Sequence, residues 1–144
     1  MRLDPDGGGA YGAVLMNDRE PVNSPQAPDA IGPYNQAIRH GGLLFCSGQI
    51  PLDPDSGELV SGSLSAETDR CLENLAAVCR AAGTSLQRAV RLTVYTTRLE
   101  GFAEINAAYA AFFSGDAAPA RAAIGVAALP KGANVEIDAI VALT

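Results

Sequence analysis

The chain has one histidine, three cysteines and no apolar run long enough to form the hydrophobic region of a leader or to span a membrane. Each shortage removes a class of chemistry. With His40 the only histidine, and lying in a turn, a Ser-His-Asp triad is not expected and a histidine-rich metal site is impossible. Cys46, Cys71 and Cys79 are odd in number. The last two stand eight positions apart in a predicted helix, about 12 Å along its axis, too far to bridge, so the three read as reduced packing residues. Basic residues are also scarce. Ten Lys and Arg against sixteen Asp and Glu give a formal charge of −6, and no basic cluster interrupts the acidic balance. Such a molecule repels nucleic acid and anionic lipid as a whole, so neither a nucleic-acid nor a membrane partner is expected and the expected compartment is the cytosol.

What is present fits one compact α+β domain. The 144 residues are 48% hydrophobic and 18% charged, enough for one core but not for two. Residues 1–22 read as an N-terminal extension, rich in Gly and Asp with a short apolar island at Ala13-Val14-Leu15-Met16; they are expected either to be mobile or to add an edge strand. Residues 23–144 form the domain. Its entry, from Ser24 to Tyr34, is held extended by three prolines and a glycine.

Apolar stretches at 34–39 and 43–48 flank His40-Gly41-Gly42 and predict a hairpin. Residues 65–82 predict a helix, with Leu72, Leu75, Cys79 and Ala82 on one stripe, Glu67 and Asp69 near its start and Gly83 as its stop. Val90, Leu92 and Val94 alternate with Arg91, Thr93 and Tyr95 as in a strand. Phe102, Ile105, Tyr109 and Phe112 then recur at helical spacing. Residues 121–128 and 134–143 predict a second hairpin around Leu129-Pro130-Lys131-Gly132-Ala133. The sum is a sheet with two helices packed on one face.

In that last hairpin, Ile124, Val126, Val135, Ile137, Ala139 and Val141 take the parity of a helix-packed face, which sends Arg121, Glu136 and Asp138 to the other face, beside small Ala123, Gly125 and Ala127. On parity alone the simpler reading is a solvated Arg121–Glu136 cross-strand ion pair, with at most about 1 kcal/mol in it. Tyr34 reads equally as a hairpin cap, and Asn106, just off its helix's apolar stripe, as plain surface. Two other patterns are set aside. Gly7-Gly8-Gly9-Ala10-Tyr11-Gly12 spells a dinucleotide glycine motif, but only six residues precede it and no βαβ unit surrounds it. Asp53-Pro54-Asp55-Ser56-Gly57-Glu58 departs from a calcium loop, because its glycine comes one position early and Leu64 stands where the closing Glu belongs.

Four blocks in order carry a family resemblance: Ala30-Ile31-Gly32-Pro33-Tyr34-Asn35-Gln36-Ala37; Ser47-Gly48-Gln49-Ile50-Pro51; Leu72-Glu73-Asn74-Leu75; and Pro119-Ala120-Arg121 with Leu129-Pro130 and Val135-Glu136-Ile137. Over residues 24–144 the chain resembles the RidA/YjgF family of enamine and imine deaminases. The resemblance implies a chorismate-mutase-like mixed sheet with two helices on one face. It also implies a homotrimer with sheet faces inward and active sites between neighbouring subunits. It makes Arg121 the carboxylate-binding arginine, Glu136 the residue that works water, and Tyr34, Ser47, Gly48 and Asn106 lining residues of the cleft.

A 2-imino or enamino acid carries a planar carboxylate that a guanidinium grips by two parallel bonds. Hydrolysis to the 2-oxo acid and ammonia then needs a positioned water and a base, but no cofactor or metal. Many deaminase-active members have Cys two residues after the arginine. Here the position is Ala123, which offers only its backbone N–H and C=O to the substrate. Two other functions remain open: a regulator that binds 2-oxo acids without turnover, and a translation-inhibiting endoribonuclease, which the acidic balance disfavours.

Overall fold

A computed structural model of the protein describes residues 18–115 and 117–144. Six strands form one sheet: β1 (Glu20–Val22), β2 (Ala37–His40), β3 (Leu43–Gln49), β4 (Ala89–Thr96), β5 (Ala120–Gly125) and β6 (Val135–Ala142). Two helices, α1 (Leu64–Ala81) and α2 (Phe102–Phe112), intervene in sequence. The strand order is β1-β2-β3-β6-β4-β5, antiparallel throughout except where β4 and β5 run parallel. Among the described residues no helix is long and apolar enough to cross a membrane.

Local chemistry explains the elements. Gly41 (φ 61°) turns β2 into β3, as the His40-Gly41-Gly42 text predicts. At the start of α1, the Ser63 hydroxyl accepts from the Ala66 N–H at 3.0 Å, and Gly83 (φ 82°) ends the helix in the left-handed region. Leu72, Leu75, Val78 and Cys79 of α1 are fully buried, joined by Ile105 and Tyr109 of α2. They cover Leu44 and Cys46 of β3, Leu92 and Val94 of β4, and Val135, Ile137, Ala139 and Val141 of β6 in one core. Each such Leu, Ile or Val contributes about 1.5–3 kcal/mol by leaving water. All three described cysteines lie inside this core and are free thiols, as expected. Burial holds the Cys71 thiol well above its ordinary pKa.

The C-terminal third differs from its sequence reading. Residues 121–128 and 134–143 do not pair as a hairpin. β6 inserts between β3 and β4 at the centre of the sheet, while β5 lies on the far side of β4 as a parallel edge strand. In a parallel pair facing residues share a side, so Arg121 opposite Leu92 and Ala123 opposite Val94 lie on the helix-packed side. Ile124, opposite Tyr95, points to the open face and is 44% exposed; Val126 lies past the end of β5. Arg121 and Glu136 are therefore on opposite faces, and the ion pair expected between them does not form. Alternation gives the two faces of β6 but not those of β5, which is not its neighbour. Val90 is a smaller correction. A register shift between Ala89 and Arg91 turns it outward, away from Leu92 and Val94.

The stretch read as an extension contributes its last residues to the sheet: Glu20–Val22 pair with β2, and Val22 is buried. The apolar island at 13–16 and the glycine pattern at 7–12 lie outside the described residues.

Candidate functional site

Glu136 and its surroundings line a cavity. Along β6 the residues alternate, so Val135 and Ile137 enter the core and Glu136 faces the open side. Across from it β3 carries a bulge: Cys46 faces Ala139 and Gln49 faces Ile137, so Ser47 and Gly48 fill a step that β6 crosses with one residue. The Glu136 carboxylate lies where a Cβ on residue 48 would stand, with its Cδ 3.0 Å from that point. Glycine is what admits it. Tyr34, Ser47, Gly48 and Glu136, four of the residues singled out in the sequence, line a single open cavity of about 380 Å³.

Three further lining residues, Ile31, Ile50 and Pro130, were not singled out. Their only sequence signal is position, since each lies inside a block that carries the family resemblance. Ile31 is 55% exposed, so an apolar wall meets solvent there.

The loop holding Ile31 and Tyr34 is fastened by Gln36, which is almost wholly buried. Its Oε1 accepts from the Ser24 N–H, and its Nε2 donates to the carbonyls of Pro28 (2.8 Å) and Ser24 (3.2 Å). The Ser47 N–H donates to the Gln36 carbonyl (2.9 Å) and the Ser47 hydroxyl to the Asn35 carbonyl (2.6 Å), tying loop and bulge together. On the other flank, buried Asn74 of α1 donates to the carbonyls of Ile50 and Leu52. Tyr34 does not cap the β2–β3 turn. Its ring lies at the cavity, and its hydroxyl accepts from the Ile31 N–H at 3.3 Å.

Burial, with Asp138 adding repulsion, raises the Glu136 pKa above the usual glutamate value. None of the ion pairs among the described residues involves Glu136. The site thus has an unpaired, half-buried carboxylate whose proton affinity is enhanced. Nearby, the Tyr95 hydroxyl donates to Asp138 at 3.1 Å, and burial followed by that carboxylate raises the tyrosine's pKa.

Arg121 lies elsewhere on the chain. Asn106, exposed on α2, accepts from Arg121 Nη1 at 2.7 Å, so it is not plain surface. The guanidinium carbon lies 4.8 Å from the Tyr109 ring centre and 5.3 Å from that of Phe102. Ala123 follows two residues along β5 on the same side. Glu136 faces Tyr95 across the β4–β6 ladder, whereas Arg121 faces Leu92 across the β4–β5 ladder. The two are therefore about 10 Å apart across the strands and about 10 Å along them, on opposite faces. One chain brings together Tyr34, Ser47, Gly48 and Glu136, and separately Arg121, Asn106 and Ala123, but not the two groups.

The family model described as Endoribonuclease L-PSP matches residues 24–143. The RutC family protein y4sK of Sinorhizobium fredii is 52% identical over 125 residues, covering 87% of this chain and 98% of that protein. The 2-iminobutanoate/2-iminopropanoate deaminase of Mus musculus is 43% identical over 122 residues, covering 85% of this chain and 90% of that one. Among solved structures, E. coli TdcF with bound serine superposes with a TM-score of 0.80 at 37% identity, covering 85% of this chain and 98% of that chain.

Proposed function

The chain belongs to the Endoribonuclease L-PSP family, the YjgF/RidA family, and from that premise we propose that it is a cytosolic hydrolase converting 2-imino and enamino acids to 2-oxo acids and ammonia. The observation that carries the proposal is the half-buried Glu136 carboxylate, unpaired and with a raised pKa, at the wall of a cavity large enough for a small amino-acid-sized molecule. Because Arg121 and Glu136 lie on opposite faces of one chain, the complete site joins Arg121 of one copy to Glu136 of another. A homotrimer supplies that pairing three times over.

Arg121 takes the substrate carboxylate through two charge-assisted bonds, with Asn106 beside it and the backbone of Ala123 along the same strand. Glu136 of the neighbouring copy holds a water against the imine carbon and accepts its proton as the C–O bond forms. The resulting carbinolamine carries hydroxyl and amine on one carbon; proton transfer to nitrogen releases ammonia and leaves the carbonyl of the 2-oxo acid. An enamino substrate first takes a proton at its β-carbon to become the imine. Tyr34, Ser47 and Gly48 line the space for the substrate's side chain. Support comes from the mouse relative, whose name states this reaction on 2-iminobutanoate and 2-iminopropanoate, and from the serine bound to TdcF. The acidic net charge disfavours ribonuclease action.

The test is release of ammonia and 2-oxo acid from imines generated in situ by an amino-acid oxidase. Wild type should accelerate hydrolysis. Arg121→Ala and Glu136→Ala should each lose at least about tenfold, since one charge-assisted bond contributes about 1.5–3 kcal/mol. Wild type that is inert yet binds 2-oxo acids would make the protein a sensor built on the same cavity.

A further inference from the structure

We infer that Phe102 and Tyr109 of α2 are positioning residues that, with Asn106, hold the Arg121 guanidinium in the orientation needed to receive a carboxylate. The inference rests on the role proposed for Arg121. The three residues stand at i, i+4 and i+7 and so present one helix face to β5. The two ring centres lie 4.8 and 5.3 Å from the guanidinium carbon, within cation–π range, and the Asn106 carbonyl oxygen fixes Nη1 at 2.7 Å.

All three contacts come from neutral groups. A carboxylate partner would neutralise the cation and compete with an incoming anion, but none of the ion pairs among the described residues includes Arg121. Asn106 occupies one of the five guanidinium donors, and the Nε–Nη2 edge retains two parallel N–H groups for a carboxylate. The exposed cation is thus both uncompensated and oriented in advance. The Tyr109 hydroxyl is buried with no protein hydrogen-bond partner among the described residues. Its ring, and not its oxygen, is what Arg121 meets.

An arginine without such support is ordered only when it binds, and that ordering costs about two- to tenfold in affinity. Phe102 is only partly buried at the edge of the core, so Phe102→Leu tests the cradle with the fold intact. Two quantities are read on the whole protein: the order of the Arg121 Nε–H group by 15N relaxation without ligand, and the Kd of 2-oxobutanoate by calorimetry.

The expected result is a loosened Arg121 and a Kd raised about two- to tenfold in Phe102→Leu. KM for the imine should rise with kcat unchanged, and the order of Arg121, Kd and KM should recover in Phe102→Tyr. A Phe102→Leu protein with wild-type order at Arg121, or with loosened Arg121 but wild-type affinity, overturns the inference. If Phe102→Leu loosens Arg121 and raises the Kd of 2-oxobutanoate while wild type hydrolyses no imine, the cradle stands and the deaminase proposal falls.

Discussion

Glu136 is placed where its charged form is disfavoured, and its stability and activity should therefore respond to pH in opposite ways. Burial and then Asp138 raise its folded-state pKa. Below about pH 4 the group is protonated in both folded and unfolded chains and costs nothing. As pH rises through the raised folded value, the unfolded chain has already released its proton, so the folded state loses stability. Glu136→Gln should therefore be slightly more stable than wild type at pH 7 and equal to it below pH 4. Solvent screening of a half-exposed group keeps the gain under about 1 kcal/mol. Thermal melts at the two pH values check this, and a Gln variant less stable at pH 7 would count against the account. Activity needs the ionised base, so the acid limb of kcat/KM should fall above the usual glutamate range.

Among the elements, the loop from Ser24 to Tyr34 has little apolar anchorage, and its shape depends on the Gln36 amide inside it. Gln36→Ala leaves the Ser24 N–H and the Pro28 carbonyl without that partner, at about 1–3 kcal/mol for each group left unsatisfied. Urea denaturation should show that loss, and hydrogen exchange should show it concentrated in residues 24–35; uniform exchange across the sheet would argue against a local anchor. The elements also show where sequence patterning stops being informative. Alternation in β6 is readable because one side of a central strand meets the helices and the other does not. β5 reads Ala-Arg-Ala-Ala-Ile-Gly, and its wholly apolar parity, Ala120, Ala122 and Ile124, turns to the open face, so alternation alone misassigns it. Its face is set by its parallel partner β4, about thirty residues earlier in the chain. Phe102 and Tyr109 were legible as an apolar stripe, but nothing in their spacing shows that Arg121 comes to rest against them.

At the scale of the whole molecule, a site shared between copies makes a prediction that a site within one chain does not. Arg121→Ala retains a working Glu136, and Glu136→Ala retains a working Arg121. Refolded together, the two inactive variants should regain activity. Random mixing in a trimer makes on the order of a quarter of the sites fully wild type. Sedimentation of the mixture should show trimers. Trimers that stay inactive would locate both residues' action within one chain or deny one of them a role.

The α+β class, the extents of α1, β3 and β6 and the buried cysteines are legible in the sequence, whereas β2 begins three residues later than its pattern predicts and Ile31, Ile50 and Pro130 join the cavity without being singled out by it. The legible properties follow from local propensity, short-range periodicity and blocks of residues close in sequence. The insertion of β6 at the centre of the sheet, the parallel pairing of β5 at its edge and the turn of Arg121 to the helix side against Phe102, Asn106 and Tyr109 follow from the packed chain alone. Strand order and facing depend on which distant segments pair, and a period of two is the same for either neighbour.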